Sequence, residues 1–153
     1  MPPESFDAYR LASARGYADD NVASGRWPAE AAFERAIEDF DQGLPQGLDT
    51  PDNHIYEIRD AALDETVGVI WFAVIQKNGI RSAFVYDVEV AAPHQRKGHA
   101  REAFRQLEPI VQGMGLQSIG LHVFSQNAGA QALYRSLGYQ VTSVNMLKHL
   151  PAR

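Results

Sequence analysis

The feature that most constrains this chain is a change of hydrophobic period between Ser82 and Met114. The β-rich run SAFVYDVEV leads through Ala91-Ala92-Pro93 into the polar segment HQRKGHA. Apolar residues then return at Ala100, Ala103, Phe104, Leu107, Ile110, Val111 and Met114, at three- and four-residue steps. A strand must therefore run through a basic, glycine-containing loop straight into an amphipathic helix. That junction leaves the first N–H groups of the helix without internal acceptors and turns the positive end of the helix dipole toward the loop. An anion is the natural guest, phosphate first. Gln95, Arg96 and Lys97 add side-chain donors, while Gly98 and Ala100 keep the backbone uncluttered enough for a pyrophosphate to approach. The spacing matches neither GxGxxG nor a loop ending in Gly-Lys-Ser/Thr, so on physics alone a merely basic surface loop stays open beside phosphate binding. Pro109 inside the helical pattern predicts a kink or an early end unless the preceding turn tolerates the lost donor.

The remaining elements can be placed around this junction. Phe6, Tyr9, Leu11, Ala14 and Tyr17 predict a helix from Ser5 to about Asp20, and Pro28 suits the first turn of a second helix through Phe40. Gly43, Pro45, Gly47 and Pro51 punctuate a loop. HIYEIRD, TVGVIWFAVIQ and SAFVYDVEV follow as three antiparallel strands, the last two joined by a turn at Lys77-Asn78-Gly79. SIGLHVF is a further strand, Asn127 caps the short helix AGAQALYRSL, Gly138 stops it, and YQVTSVNMLKHL supplies one or two closing strands. With 153 residues, 45% of them hydrophobic, and no repeat or linker, one domain spanning 1–153 is expected.

Composition excludes several chemistries. The chain has no cysteine, so thiol catalysis and disulfides are ruled out, and its five histidines show no pairing at metal-ligand spacing; no metal is expected. No long apolar run and no leader-like start are present, so no membrane partner is expected and a cytoplasmic location is. The net charge of -5 is unevenly spread. Residues 1–65 hold 15 acidic and 5 basic side chains, residues 66–153 hold 4 and 9, giving -10 and +5. A polyanion held by the second part and a cation attracted to the first would suit this field. A pI of about 5.5 argues against nucleic acid as a partner.

Two segments carry a family resemblance. VEVAAPHQRKGHA is similar to a signature in which Gln or Arg, two residues, Gly, one residue, and Gly or Ala follow a strand. NAGAQALYRSLGYQ is similar to a second motif, with Asn opening a helix and a Tyr followed four residues later by Gly-Tyr. Together, in this order, they resemble the GCN5-related N-acetyltransferase (GNAT) superfamily over residues 67–148. Two positions depart from its pattern: only MPPE precedes the first helix, where the family begins with a strand, and His99 stands where an aliphatic residue is common.

The resemblance implies an α/β fold of the α+β type. It predicts a mixed, mainly antiparallel sheet of about six to seven strands flanked by helices, with splayed central strands forming an acyl-CoA cleft. It further implies acetyl-CoA (acyl-CoA) as co-substrate, with Val88 and Val90 binding it through main-chain atoms. Pyrophosphate would be held by Gln95, Arg96, Lys97, Gly98, His99 and Ala100, with Asn127 near the pantetheine arm. Tyr134 would donate to the departing sulfur. Asp87 and Glu89, alternating on YDVEV, are the candidate bases, Glu89 first, with a water relay as a third route. A solvated or structurally paired role for both acids stays open; Trp71, Phe72 and Tyr86 could line an acceptor pocket or pack in the core, and His122, on a strand near the cleft, could titrate usefully or be a satisfied or exposed histidine. The expected activity is acetyl transfer to a primary amine on a small molecule or peptide, by a monomer or homodimer. The alternative is a non-catalytic acyl-CoA sensor.

Overall fold

The computed structural model describes all 153 residues. Two helices open it, α1 (Phe6–Ala23) and α2 (Ala32–Gly43). They are lashed together by the fork of Arg10 on Asp41, both contacts at 2.7 Å. Pro28 lies outside α2, because Ala31 takes a left-handed φ of 58° just before the helix starts. The bend buries Trp27, which meets Tyr17 edge-on at 5.3 Å and lies under the Arg35 guanidinium at 4.3 Å. No strand precedes α1. Pro3–Ser5 is a single 3₁₀ turn, and the Met1 ammonium donates instead to the Ile55 carbonyl at 3.1 Å.

Strands β1 (Asn53–Asp60), β2 (Glu65–Lys77) and β3 (Ile80–Val90) form an antiparallel meander. The β2–β3 turn is the two residues Asn78 and Gly79, with φ of 55° and 79°, the double positive φ that matches hairpin twist. Helix α3 (His99–Gly113) returns the chain to β4 (Ile119–Leu121), parallel to β3, and α4 (Ala128–Ser136) follows. Pro109 does not end α3. It and Arg105, whose carbonyl would have accepted the missing N–H, both lie on the exposed side, where water can take that carbonyl.

The sheet has four strands rather than the six to seven expected, in the order β1-β2-β3-β4. YQVTSVNMLKHL contributes none of them: residues 140–153 are exposed throughout and make no backbone hydrogen bond. Within the chain there is little for it to dock on, since β4 is three residues long and α4 buries no residue.

One face of the sheet packs Ile58, Val67, Ile70, Phe72, Ala83 and Val85 against Phe104, Leu107 and Val111 of α3. The other packs Ile55 and Trp71 against Tyr9, Phe40 and Leu44. A bulge in β3 decides which residues meet which layer. Trp71 pairs with Asp87 and Phe72 with Val85, so Tyr86 is an extra residue. Ala83 and Val85 face α3 before it; after it Val88 and Val90 do. Asp87 and Glu89, which would otherwise share the phase of Ala83 and Val85, are turned to the α1 side.

Gly68 makes room for this stretch of β3. A Cβ there would collide with the Glu89 carbonyl. Gly68→Ala should therefore cost about 2 kcal/mol and lower Tm by roughly 4–8 °C. Gly16→Ala, in α1 with open space around it, should raise stability by about 0.5–1 kcal/mol. Paired thermal unfolding curves check both, and equal effects would refute the steric account of Gly68.

Candidate acetyl-transfer site

β3 and β4 pair only over Ala83–Val85 and Ile119–Leu121. Beyond Val85 the strands part, and residues 86–90 keep β2 as their sole neighbour. The bulge at Tyr86 begins where pairing with β4 ends, as expected of a device that bends a strand out of its ladder. On the β4 side, the main chain around Val88 and Val90 is left open for an extended guest.

Past Val90 the chain makes a 3₁₀ turn at Ala92–His94 and reaches α3 through Gln95, Arg96, Lys97 and Gly98. Arg96 and Gly98 are left-handed, with φ of 61° and 84°. The helix start carries no side-chain cap. None of the six main-chain N–H groups from Arg96 to Arg101 has a partner in the protein. Side chains hold the loop instead. Gln95 Nε2 donates to the Val90 carbonyl at 2.9 Å, so Gln95 ties the loop to the strand rather than reaching outward. His99 turns its ring away from the loop toward the end of β1, with Nε2 3.5 Å from Asp60 Oδ2, while His94 Nε2 stands 3.8 Å from Glu65 Oε2.

The acids occupy the α1 side of the cleft. Asp87 Oδ2 accepts from the Tyr9 hydroxyl at 2.8 Å and from Ser13 Oγ at 3.2 Å. Burial pushes the Asp87 carboxyl above the usual carboxylate range, and these two hydrogen bonds oppose the shift. Glu89 makes no hydrogen bond or ion pair and sits nearer solvent. Burial raises its carboxyl as well, followed by the charges of Asp87 and Asp20. Tyr9 is driven above the ordinary phenol value, first by burial and then by the charge of Asp87. No Lys or Arg pairs with Asp20, Asp87 or Glu89, so this wall of the cleft is uncompensated negative.

Tyr134 comes from the facing helix, α4. Its ring packs edge-on against Phe104 at 5.3 Å and Tyr139 at 5.8 Å, and its hydroxyl has no partner. Burial, then the charge of Asp87, pushes it up to about 12, so it is a protonated donor at neutral pH. Asn127 acts as the helix cap, its Oδ1 accepting from the Ala130 N–H at 3.1 Å. Gln131 Nε2 donates to the Phe124 and Ser125 carbonyls, and Gln126 Nε2 donates to the Asp20 carbonyl, so the chain after β4 is tied to both α4 and α1. His122 stacks edge-on with Phe124 and meets none of the acids. Trp71 and Phe72 are core residues, whereas Tyr86 is 52% exposed beside Trp71. No group of three or more potential metal ligands comes together. No helix is long and apolar enough to cross a membrane.

The loop residues Arg96–Ala100, the open strand at Val88 and Val90, the acids and Tyr134 are thus gathered around one splay. Sequence reasoning missed Ser13 and Asp20 and left Tyr9 without a role. Their signal was present: Tyr9, Ser13 and Asp20 fall on one stripe of α1, a polar line on a face that also buries Ala14 and Ala18.

The chain is similar to known proteins. The family model described as the acetyltransferase (GNAT) family matches residues 17–139. The uncharacterised N-acetyltransferase YycN of Bacillus subtilis (strain 168) is 33% identical over 150 residues, which is 98% of this chain and 96% of YycN. The uncharacterised N-acetyltransferase YdgE of the same organism is 29% identical, over 98% of this chain and 95% of its own length. The crystal structure of YycN superposes with a TM-score of 0.93 over 99% of this chain and 96% of that one. An acetyltransferase from Pyrococcus furiosus, 22% identical, shares the fold at a TM-score of 0.70 over 94% and 95% of the two chains. With the family model spanning most of the sequence and YycN alike over nearly its whole length, the chain belongs to the GNAT acetyltransferase family and is an N-acetyltransferase.

Proposed function

We propose that the protein transfers an acetyl group from acetyl-CoA to a primary amine by direct attack, within the splay of β3 and β4. The observation that carries this reading is the row of six unpartnered N–H groups, Arg96 to Arg101, at the head of α3. It supplies a pyrophosphate cradle in the loop that follows the strand carrying the acids. In this reading the open edge of β3 at Val88 and Val90 takes the pantetheine arm as an added strand.

The chain's own groups divide the chemistry. The nitrogen–carbonyl bond forms as the carbon–sulfur bond breaks, so one proton must leave the amine and one donor must meet the sulfur. Glu89 takes the first task, directly or through water, because its carboxylate is free of hydrogen bonds and raised toward useful basicity. Asp87 is already engaged by Tyr9 and Ser13 and acts as a fixed negative charge that draws in the ammonium form of the acceptor. Tyr134, protonated up to about 12, takes the second task. The unpaired Asp20, Asp87 and Glu89 favour a cationic acceptor, a polyamine-like small molecule or a basic peptide.

Calorimetry should find saturable acetyl-CoA binding, weakened about tenfold or more by Gly98→Asp, which puts a negative charge at a left-handed helix start. No binding by the unaltered chain would overturn the cofactor assignment. Tyr134→Phe should lower kcat about 10–100-fold with little change in acetyl-CoA affinity, the loss expected of one hydrogen bond to a developing charge. An unchanged rate would remove Tyr134 from the chemistry.

The pH profile carries a further test. A base works only when ionised, and Glu89 is raised, so kcat should fall as pH drops through a value above the ordinary glutamate range. Tyr134 adds no descending limb until pH approaches about 12. Glu89→Gln should abolish the acidic limb and cost roughly 10²–10⁴-fold in kcat. A retained limb in a kcat profile of that variant would return the proton to Asp87 or water.

A further inference from the structure

One aromatic ring beside the acids is left uncovered by the fold. The bulge sets Tyr86 and Asp87 together against the single residue Trp71, so both side chains leave β3 on the face that packs Tyr9 and Trp71. On that face the Tyr86 ring lies 5.0 Å from Trp71 and, edge-on, 4.9 Å from Phe84. These neighbours fix the ring, yet Tyr86 stays 52% exposed. No side chain of β4 shields it at the paired position: Phe84 stands opposite Gly120, where a Cβ would already meet the Phe84 ring at 3.4 Å.

Elsewhere aromatic faces are capped by arginines of the chain. Arg15 lies over Phe33 at 4.6 Å, Arg26 over Phe124 at 5.8 Å and Arg35 over Trp27 at 4.3 Å. Tyr86 has no such cap, and the acids next to it, Asp87 and Glu89, have no Lys or Arg partner. A fixed π face and a carboxylate wall, both lacking a cation, are two independent halves of one cation site. The ring quadrupole and the negative charge attract the same guest. An apolar guest would leave the carboxylates unpaired, and an anion would be repelled by them.

We propose that Tyr86 sets acceptor specificity by holding a second cationic group of the acceptor, an ammonium or guanidinium, on its open face while the amine that reacts sits at Glu89. This rests on the acetyl-transfer reading above and narrows its acceptor to one carrying two positive charges. Three steps along β3 separate Tyr86 from Glu89, at most about 10 Å, so the second charge must stand several bonds from the first. The chemistry itself is unaltered. The reacting nitrogen bonds to the acetyl carbon as the carbon–sulfur bond breaks, its proton leaves through Glu89, and coenzyme A departs as the thiol. The second cation keeps its charge and leaves with the product. A linear diamine meets this requirement, and so does a peptide lysine with a basic neighbour.

The test is a ratio: kcat/KM for 1,6-diaminohexane, halved for its two equivalent amines, over kcat/KM for hexylamine. Turnover is read as coenzyme A thiol released, and the chain, having no cysteine, adds no thiol background. A loss of activity common to both amines cancels. Blocked peptides with one lysine, with and without an arginine two residues away, form a second arm, and the arm with the larger ratio identifies the source of the second charge. In that arm the unaltered chain should give about 3–30, the range of one cation–π contact. The ratio should fall severalfold in Tyr86→Leu and hold in Tyr86→Phe, which keeps the ring and loses only the hydroxyl. A ratio near one in both arms overturns the proposal, as does one that Tyr86→Leu leaves unchanged or that Tyr86→Phe lowers equally. Acetyl-CoA bound with no amine of either arm acetylated would overturn the amine reading itself and this inference with it, so the two failures are told apart.

Discussion

The site depends on a single extra residue. Tyr86 is absorbed as a bulge opposite Trp71 and Phe72, and everything beyond it in β3 is inverted relative to what precedes it. Without the bulge, Asp87 and Glu89 would point at Phe104 and Leu107, two residues no more than 2% exposed, and neither carboxylate would have a partner there. With it, Val88 and Val90 join that core while the acids meet α1, where Tyr9 and Ser13 supply donors. The same bend carries β3 away from β4. One local irregularity therefore opens the cleft and loads its wall with charge, and Gly68 lets β2 follow it because no side chain fits against the Glu89 carbonyl.

The loop at the head of α3 solves a different problem. To serve as an anion cradle its N–H groups must stay unspent, yet a loop whose amides are all free has nothing obvious to hold its shape. Here the shape comes from elsewhere. Two left-handed residues, Arg96 and Gly98, set the backbone course, Gln95 ties the loop to the Val90 carbonyl, and His94 and His99 lean on Glu65 and Asp60 at the adjoining ends of β2 and β1. None of these restraints uses an amide of residues 96–101. His99, the departure from the family pattern, is thereby explained as a side chain directed at β1, with its amide left to the loop.

Much of this was legible in the amino-acid order because it rests on local chemistry. The strand–loop–helix junction, the Asn78-Gly79 turn, the Asn127 cap and the Gly138 stop each follow from a residue's own donors or dihedral preference. What was hidden depends on partners distant in sequence. SAFVYDVEV reads as well with a bulge as without, since only the register against β2 reveals it. Pro109 was expected to disturb α3 because the exposure of Arg105 was unknown. The closing strands were read from the segment YQVTSVNMLKHL itself, and a β-rich segment does not reveal whether a strand edge is there to pair with it.

The two acids illustrate how position, more than identity, divides labour. Both stand on one strand, two residues apart, and burial raises both. Asp87 lies deep, where the two hydroxyl donors oppose the upward push of burial and fix the carboxyl in one orientation. Glu89, with a longer side chain and a rim position, is spared such ties; burial raises it first, and the charges of Asp87 and Asp20 add to that. The deeper acid thus adds to what burial already does to the shallower one. In the proposed reaction an acceptor amine entering this wall would meet the tethered Asp87, which would orient it, and the untethered Glu89, which would take its proton, while the protonated Tyr134 on α4 has a hydroxyl that nothing else in the chain engages.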